Sequence, residues 1–341
     1  MKSNSITKSA VLMLVLVFAT VMCREYFLLN EGYILGYNDD EALWAKNRAK
    51  IYESIDKATV FIGSSRIKFD LDQPSWEKIT GEKIIQLAVA GSCPRLALEN
   101  LANDEKFKGK LVIDVTEGLF FKRQEDELMA DRVKYLKDVT PSQRASAQIG
   151  FALESQFVFL DEEMFSLKAC LNQLPIPNRA GVFAEPIFPS KFTTTNYERQ
   201  EIMTQDFVRD TSIQRQVTDI WTIFGALKTK PGVSGDTLQT MFTQIQTSVA
   251  KIKARGGKVI FVRTPSSGGY WDHEPINFPR TAYWDHLLAI TGCEGIHFKD
   301  FPELANFVCP EWSHLKPDDA VLYTQGLIKE LEKKNWFAQS N

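Results

Sequence analysis

The sequence contains no long run of basic residues, and its 40 lysines and arginines are outnumbered by 43 aspartates and glutamates. The formal net charge at pH 7 is therefore −3. Proteins that bind nucleic acid concentrate positive charge on one surface, where it meets the phosphate backbone. The charge distribution excludes that class of function.

The sequence also has no internal repeat and no low-complexity tract. Hydrophobic residues make up 44% of its 341 positions, which is the composition of an ordinary globular protein. A chain of this length can bury one large core or two smaller ones. The sequence therefore predicts folded domains rather than disorder.

Metal-binding patterns are absent as well, because no set of cysteines and histidines has the spacing that is typical of metal ligands. Two short pairs, His273 with Glu274 and Asp285 with His286, suggest a metal site, but neither pair supplies a full set of ligands. We therefore predict that the protein uses no metal and no other cofactor.

The N-terminus carries an uncharged apolar segment, residues 9–23, which begins after Lys8 and ends before Arg24. A membrane-spanning helix needs about 20 apolar residues. The segment reaches this length if residues 26–29 extend it and the Arg24 side chain reaches back to the membrane surface. Its small residues fit the pattern of a signal-peptide cleavage site poorly. The sequence favours an uncleaved signal anchor over residues 1–29, with a cleaved signal peptide and a buried globular helix as alternatives.

The charges on either side of this segment predict its orientation. Lys2 and Lys8 precede it, whereas acidic residues follow it at Glu31, Asp39, Asp40 and Glu41. By the positive-inside rule, the basic end stays in the cytoplasm and the body of the protein faces outwards. In a bacterium this describes a single-pass inner-membrane protein whose globular domain faces the periplasm or the cell exterior.

Four cysteines lie outside the apolar segment: Cys93, Cys170, Cys293 and Cys309. Disulfides persist in oxidising compartments such as the periplasm. Cys293 and Cys309 are the favoured pair, while free buried cysteines are equally compatible with the sequence.

Short apolar segments that read as buried strands alternate with helical segments after residue 57. The strand-like segments are residues 58–63, 82–91, 109–118, 256–265 and 295–300. Buried strands that alternate with helices predict a parallel sheet covered on both faces. A final helix is expected from Pro317 to about Lys334, because proline suits the first turn of a helix.

The region between the third and fourth predicted strands has helical periodicity and few strand signals. These patterns divide the chain into an anchor, a linker with an amphipathic helix, the first part of an α/β domain, a helical insertion or cap, and the second part of that domain. The corresponding ranges are residues 1–29, 30–57, 58–138, 139–255 and 256–341.

Polar loops follow the first three predicted strands, at the edge where parallel sheets bind their ligands. The loop after the first strand is Gly63-Ser64-Ser65-Arg66, and those after the second and third strands span residues 90–95 and 116–118. Glu311 and His314 lie three residues apart just before the final helix. A serine becomes a nucleophile when a histidine accepts its proton and a carboxylate orients that histidine. The order of these residues therefore predicts a serine nucleophile with its base.

With these residues in this order, the sequence resembles the SGNH (GDSL-like) hydrolase superfamily from about residue 58 to residue 331. The resemblance implies a flavodoxin-like, three-layer α/β/α fold with a parallel sheet, interrupted here by the helical insertion. Ser65 holds the serine position of the Gly-Asp-Ser motif, which implies that it is the nucleophile, and Ser64 holds the aspartate position. His314 would be the general base and Glu311 the orienting acid.

The resemblance also implies an oxyanion hole, formed by the N–H groups of Ser65 and Gly91 together with Thr116. This sequence departs from the family pattern at two positions. Glu311 stands where the family has aspartate, and Thr116 is the nearest neutral donor where the family often has asparagine after the third strand.

An N-terminal anchor followed by a divergent SGNH domain is similar to accessory proteins of bacterial cell-envelope polymer acylation. Those of alginate O-acetylation and teichoic-acid D-alanylation work beside membrane-bound O-acyltransferases. The resemblance implies an extracytoplasmic serine esterase or O-acyltransferase that acts on acyl esters of an envelope polysaccharide through an acyl-enzyme. The alternative is a catalytically degenerate domain that binds polysaccharide or assembles with a membrane acyltransferase.

Arginines at predicted strand or helix edges are candidates for substrate binding, namely Arg66, Arg95 and Arg263. For each arginine taken singly, the sequence favours a surface salt bridge over substrate binding. Aromatic residues within residues 268–287 have a composition suited to stacking on sugar rings, although such residues also pack in cores.

Overall fold

The computed structural model describes residues 3–52, 57–123, 126–172, 186–226 and 231–337, with residues 174, 181 and 229. The chain divides into two compact units. The larger unit contains Asp39–Thr140 and Glu185–Asn341, and the smaller unit contains Met1–Asn38 and Pro141–Ala184.

The larger unit is built on a five-stranded parallel sheet with strand order β2-β1-β3-β6-β7. A separate antiparallel pair is formed by β4 and β5. The strands are β1 Ala58–Ile62, β2 Lys83–Gln86, β3 Lys110–Asp114, β4 Thr193–Thr195, β5 Glu201–Met203, β6 Lys258–Arg263 and β7 Glu294–His297. The predicted α/β class and parallel sheet are confirmed, with each of the five predicted strands present.

The described helices of both units, in chain order, are α1 Ser3–Asn30, α2 Glu41–Ala49, α3 Ser65–Asp70, α4 Gln73–Thr80, α5 Arg95–Ala102, α6 Glu117–Phe120, α7 Glu127–Asp138, α8 Pro141–Glu154, α9 Glu162–Phe165, α10 Leu167–Asn172, α11 Gln205–Arg209, α12 Thr211–Phe224, α13 Gly235–Ala254, α14 Gly268–Asn277, α15 Trp284–Thr291, α16 Pro302–Ala305 and α17 Pro317–Lys333. Short 3₁₀ helices span Lys50–Tyr52, Val158–Leu160 and Phe298–Asp300. The predicted final helix is therefore present as α17.

The central residues of the first four strands of the sheet are apolar because helices pack on both faces of the sheet, while charged residues such as Lys110, Asp114, Lys258 and Arg263 stand at the strand ends. Alternate residues of each strand enter different cores. In β3, Leu111 and Ile113 pack with side chains of α5 and α13, whereas Val112 packs with side chains of α3, α4 and α17. The carboxyl ends of the strands thus emerge at one edge between two helical layers.

Local sequence signals fix several helix ends. Asp72 accepts a hydrogen bond from the N–H of Ser75 at the start of α4, and Gly81 ends that helix in the left-handed region, with φ +70°. Asp40 caps α2 in the same way, through the N–H of Leu43. The polar residues Asp40 and Asp72, which lie just before the helices in the sequence, thus act as their N-caps.

The predicted disulfide between Cys293 and Cys309 is wrong, since both residues are free cysteines. Cys293 packs against the core that contains α13, and Cys309 lies in the core that contains α17. The two cores cover opposite faces of the sheet, which keeps the two sulfur atoms apart. Cys309 is the buried free cysteine that the sequence left open as the alternative.

In the smaller unit, α1 is apolar and most of its side chains are exposed, with Leu14 61% and Phe18 66% exposed, whereas Glu25 and Leu28 near its end are buried. Among the described residues, one helical segment, Ser5–Asn30, is long and apolar enough to cross a membrane. Its exposure argues against the buried-helix alternative, because a core helix covers its apolar side chains. Both membrane-directed alternatives fit this helix.

Candidate active site

The strand-to-helix turn after β1 places Ser65 at the first position of α3. Gly63 is required in this turn, because a Cβ there would lie 2.7 Å from Asp114 Cβ and 2.8 Å from Ile67. The Ser64 side chain is buried and donates to Thr116 Oγ1 at 3.1 Å. Ser65 is only partly buried. The turn therefore presents the second serine of the motif, not the first, at the surface of the larger unit.

The loop before α17 carries the histidine and the acid. Glu311 is fully buried, and its Oε1 atom accepts hydrogen bonds from the backbone N–H of His314 at 2.7 Å and from His314 Nδ1 at 2.9 Å. Trp312, between them, has φ +77°, a strained conformation for a bulky residue. Its carbonyl accepts from the N–H of Ser267 at 2.9 Å. The strained conformation persists because hydrogen bonds fix the residues around it: Glu311 is bonded to His314, and the carbonyl of Trp312 is bonded to Ser267.

Ser65 and His314 are 249 positions apart in sequence, yet His314 Nε2 lies 2.8 Å from Ser65 Oγ. With Nδ1 donating to Glu311, Nε2 is the nitrogen that accepts a proton from the serine hydroxyl. The imidazole ring stacks on Phe69, with ring centroids 4.2 Å apart and an interplanar angle of 24°. The structure thus joins the three predicted residues in one chain of hydrogen bonds.

Helix α3 also holds the residues on either side of His314. Arg66 Nε donates to Ser313 Oγ at 3.2 Å, and Asp70 Oδ1 accepts from the N–H of Leu315 at 2.9 Å. Arg66 and Asp70 are four residues apart, so they lie on the same face of the helix. The helix that carries Ser65 therefore also sets the position of His314.

Asp70 is fully buried and its second carboxylate oxygen has no hydrogen-bond partner within the described part of the chain. Burial raises the pKa of Asp70 well above its ordinary value, against the hydrogen bond from Leu315. A raised carboxyl pKa means that the folded state holds a proton that the unfolded state releases. Stability is therefore lost as the pH rises from the unfolded value through the folded one.

We expect Asp70→Asn, which keeps the acceptor for Leu315 and removes the titrating group, to flatten this part of the pH dependence. The free energy of unfolding of the variant minus that of the wild type should increase with rising pH, by at most about 1.4 kcal/mol per pH unit. Urea unfolding at a series of pH values from 5 to 8 measures the difference. A constant difference across that range would show that Asp70 is ionised throughout.

The predicted substrate-binding arginines have protein partners. Arg66 Nη2 donates to Glu274 Oε1 at 2.5 Å, and Arg263 donates to the other oxygen of Glu274. Burial opposes ionisation of Glu274, but Arg263 and Arg66 together lower its pKa to about 2. Arg95 donates to Cys93 Sγ at 3.2 Å and to the carbonyl of Lys122 at 2.6 Å. Arg66 and Arg263 thus belong to a buried ionic network with Glu274, in which Arg66 Nη1 is buried and has no hydrogen-bond partner within the described residues.

The predicted oxyanion donors differ in whether their hydrogens already have an acceptor in the protein. The Ser65 N–H is the first of α3, so no residue of that helix accepts it. Gly91 is exposed at φ +68°, in a turn closed by the N–H of Ser92 and the carbonyl of Val89. Thr116 Oγ1 donates to Asp114 at 3.1 Å. Its hydroxyl proton is therefore already committed, and the two backbone N–H groups are the better donors.

The loop that carries Gly91 is fixed by a residue that sequence reasoning missed. Arg199 is fully buried and donates to the carbonyls of Gln86 at 2.7 Å and Ala88 at 3.0 Å. It also forms an ion pair with Asp39. Burial would raise the pKa of Asp39, but Arg199 and Lys68 outweigh it and lower that pKa below its ordinary value. No sequence signal identifies Arg199, because its partners come from distant segments.

Aromatic rings from the region between β3 and β6 surround His314. Trp221 on α12 lies 6.2 Å from His314 between ring centroids, and its ring also contacts Phe188 at 5.0 Å and Tyr270 at 5.8 Å. Trp221 Nε1 donates to Glu311 Oε2 at 2.5 Å. The apolar periodicity of α12 in the sequence indicates that one face of this helix is buried, but it does not identify Glu311 as the partner of Trp221.

Of the aromatic residues within 268–287, Tyr270 contacts Trp221 near His314, whereas three others pack elsewhere. Trp284 is 2% exposed in the core, Trp271 packs against Phe298, and His286 packs against Phe242. Within the described residues, no three histidine, cysteine, aspartate or glutamate side chains are grouped so that they could hold a metal ion.

Comparison of the chain with models of known protein families finds no match, and comparison with curated proteins finds none either.

Proposed function

We propose that the protein is an SGNH-type serine esterase or O-acyltransferase that acts on acyl esters of a cell-envelope polysaccharide. The observation that carries the proposal is the hydrogen-bonded series Ser65, His314 and Glu311, with Nε2 to Oγ at 2.8 Å and Nδ1 to Oε1 at 2.9 Å. A serine, a histidine and a buried carboxylate in this order are the parts of an acyl-transfer site.

The arrangement of the sheet supports the SGNH assignment. Counted along the sheet in chain order, its strands follow the sequence 2-1-3-4-5, which is the order of flavodoxin-like folds. The switch point of that order lies between the ends of the first and third strands, and Ser65 follows the first of them. Ser65 therefore lies where this type of sheet binds ligands, which supports its proposed role.

The geometry supports a two-step reaction. His314 Nε2 takes the proton of Ser65 Oγ as that oxygen attacks the carbonyl carbon of an acyl ester, and Glu311 stabilises the imidazolium that forms. In the proposed reaction the N–H groups of Ser65 and Gly91 donate to the oxyanion, and Thr116 can join them only by releasing Asp114. His314 then protonates the leaving hydroxyl, which leaves an acyl-enzyme at Ser65.

In the second step, His314 takes a proton from water or from a sugar hydroxyl, whose oxygen attacks the acyl-enzyme. Collapse of the second tetrahedral intermediate returns the proton to Ser65 Oγ and releases the acid or the new ester. The same three side chains serve both outcomes. The acceptor that reaches Ser65 decides between hydrolysis and transfer.

The N-terminal helix supports a membrane location for this chemistry. We propose that α1 anchors the protein as a single pass in the inner membrane, because it is apolar and exposed. Lys2 and Lys8 precede its apolar part, which supports a globular domain that faces the periplasm or the cell exterior. An acylated glycan and a membrane-bound O-acyltransferase are the partners that this location favours.

The test is labelling of the full-length protein in detergent with a fluorophosphonate, followed by mapping of the modified peptide. We expect one label per chain at Ser65, because only an activated serine reacts with this probe. Ser65→Ala should abolish labelling, and Ser75→Ala, which replaces a serine of α4, should not change it. Folded protein that stays unlabelled would refute the esterase proposal.

A groove favours the second candidate function, in which the domain binds polysaccharide. The groove has a volume of about 950 Å³ and runs between α5 and α13 in the larger unit. One wall consists of polar side chains of α13: Thr237, Thr240, Thr243, Gln244, Thr247 and Ser248. Hydroxyl and amide groups of this kind suit hydrogen bonds to sugar hydroxyls. Binding of an envelope polysaccharide by an unlabelled Ser65→Ala variant would support this function.

A further inference from the structure

Both carboxylate oxygens of Glu311 have partners. Oε1 accepts from the backbone N–H and from Nδ1 of His314, and Oε2 accepts from Trp221 Nε1 at 2.5 Å. Glu311 is 0% exposed, so no bulk water can replace either partner. A buried carboxylate oxygen without a donor is destabilising, and hydrogen bonds to charged groups are among the stronger ones in proteins.

We propose that Trp221 is a positioning residue that orients Glu311 against His314, an inference that rests on the proposed triad. A glutamate side chain has one more rotatable bond than an aspartate, and both contacts from His314 meet the same oxygen, Oε1, so they leave Oε2 unconstrained. The indole N–H holds Oε2 and thereby fixes the plane of the carboxylate. Trp221 explains how glutamate serves at a position where the family pattern has aspartate.

The direction of the contact distinguishes positioning from simple packing. The Trp221 ring already packs against Phe188 and Tyr270, and a phenylalanine would retain most of those contacts. The N–H is the one hydrogen-bonding group of the indole, and it points to Glu311. Removal of the N–H with the ring retained therefore tests the positioning role alone.

The position of Trp221 in the chain adds a second consequence. Trp221 belongs to α12, which lies in the long region between β3 and β6, whereas Glu311 and His314 lie in the loop before α17. A helix of the larger unit that is not part of the sheet or of the loop before α17 thus completes the hydrogen bonding of Glu311. On this proposal, the region between β3 and β6 supplies a positioning residue to the site as well as the aromatic rings around it.

The first test is structural and needs no turnover. The protein has seven tryptophans, so selective ¹⁵N-tryptophan labelling gives one indole N–H signal for each of them. Trp221→Phe identifies the Trp221 signal by its disappearance. We expect Glu311→Gln to move this signal upfield, because the amide is a weaker acceptor than the carboxylate. We also expect Trp221→Phe to shift the downfield proton signal of His314 Nδ1–H.

The second test is kinetic and uses 4-nitrophenyl acetate. Trp221→Phe should lower kcat by about 10- to 100-fold, the range of one hydrogen bond to a charged group, with KM nearly unchanged. Trp336→Phe is the matched control. Trp336 is a buried tryptophan whose N–H has no partner within the described residues, so its replacement breaks no hydrogen bond. This control should keep the kcat of the wild type.

The outcomes separate this inference from the proposed function. If the His314 and Trp221 signals do not respond to the two substitutions, the positioning role is refuted, even where Ser65 reacts with fluorophosphonate. If the signals respond but Ser65 is inert in labelling and in turnover, the hydrogen bond stands and the esterase proposal fails. A Trp221→Phe protein with full kcat also overturns the inference.

Discussion

Replacement of His314 by alanine is expected to lower kcat for ester hydrolysis by about 10⁴- to 10⁶-fold, the loss that follows removal of the base from a serine triad. His314 Nε2 is the acceptor within reach of Ser65 Oγ, at 2.8 Å. Without it the serine proton has no base, and the leaving hydroxyl has no acid. Turnover of 4-nitrophenyl acetate, with fluorophosphonate labelling of Ser65, measures the effect.

Because His314 is buried against Phe69, alanine also leaves a cavity. His314→Gln keeps most of the volume and removes the base, so it should fold like the wild type and be as inactive as the alanine variant. His286→Ala is the matched control, since that ring packs against Phe242 and plays no part in the site. If His314→Gln retained more than a tenth of wild-type kcat, His314 would not be the base.

Replacement of Arg199 by methionine is expected to destabilise the larger unit by about 3–5 kcal/mol, the cost of removing one partner of a buried ion pair. The change leaves Asp39 with Lys68 as its remaining cation, and it removes the donors to the carbonyls of Gln86 and Ala88. Urea unfolding of the full-length protein in detergent, followed by tryptophan fluorescence, measures the loss.

Arg280→Met is the matched control for this prediction. Arg280 also pairs with two carboxylates, Asp285 and Asp300, but its side chain is 43% exposed. Exposed pairs contribute about 0–1 kcal/mol, so the control should lose at most that amount. Equal losses in the two variants would show that the burial of Arg199 carries no extra stability.

The pH dependence of the Arg199 effect follows from Asp39. Its pKa is lower in the folded state than in the unfolded state, so the folded state releases a proton that the unfolded chain retains. The stabilisation is therefore fully present above the unfolded pKa and is lost as the pH falls towards the folded one. The difference between wild type and Arg199→Met should be constant from pH 6 to 8 and shrink in acid.

The sequence pattern was sufficient to predict the sheet and the order of the residues at its edge. Uncharged apolar segments such as residues 58–63 are typical of strands that are covered on both faces, and this feature is visible without a structure. Ser65 and His314 were predictable because parallel strands bring their following loops to one edge. Whether these residues act as a nucleophile and a base stays a prediction until labelling is measured.

The contacts of Trp221 and Arg199 were not predictable in the same way. Each depends on the path of the long region between β3 and β6, which no local periodicity determines. Arg199 has φ +65°, a conformation that is uncommon for a residue other than glycine and has no sequence signature. The sequence favoured surface salt bridges for Arg66 and Arg263, but their burial with Glu274 is a property of the tertiary structure alone.

The separation of 249 positions between Ser65 and His314 has a consequence for the synthesis of the protein. A ribosome completes β1 and α3 long before it reaches the loop that precedes α17, so the nascent chain carries the serine without its base. Trp221, which holds the acid, also precedes its partner by 90 positions. The proposed nucleophile therefore lacks its proposed base throughout translation, and the hydrogen bond between Ser65 and His314 forms only when the loop before α17 has folded onto the sheet.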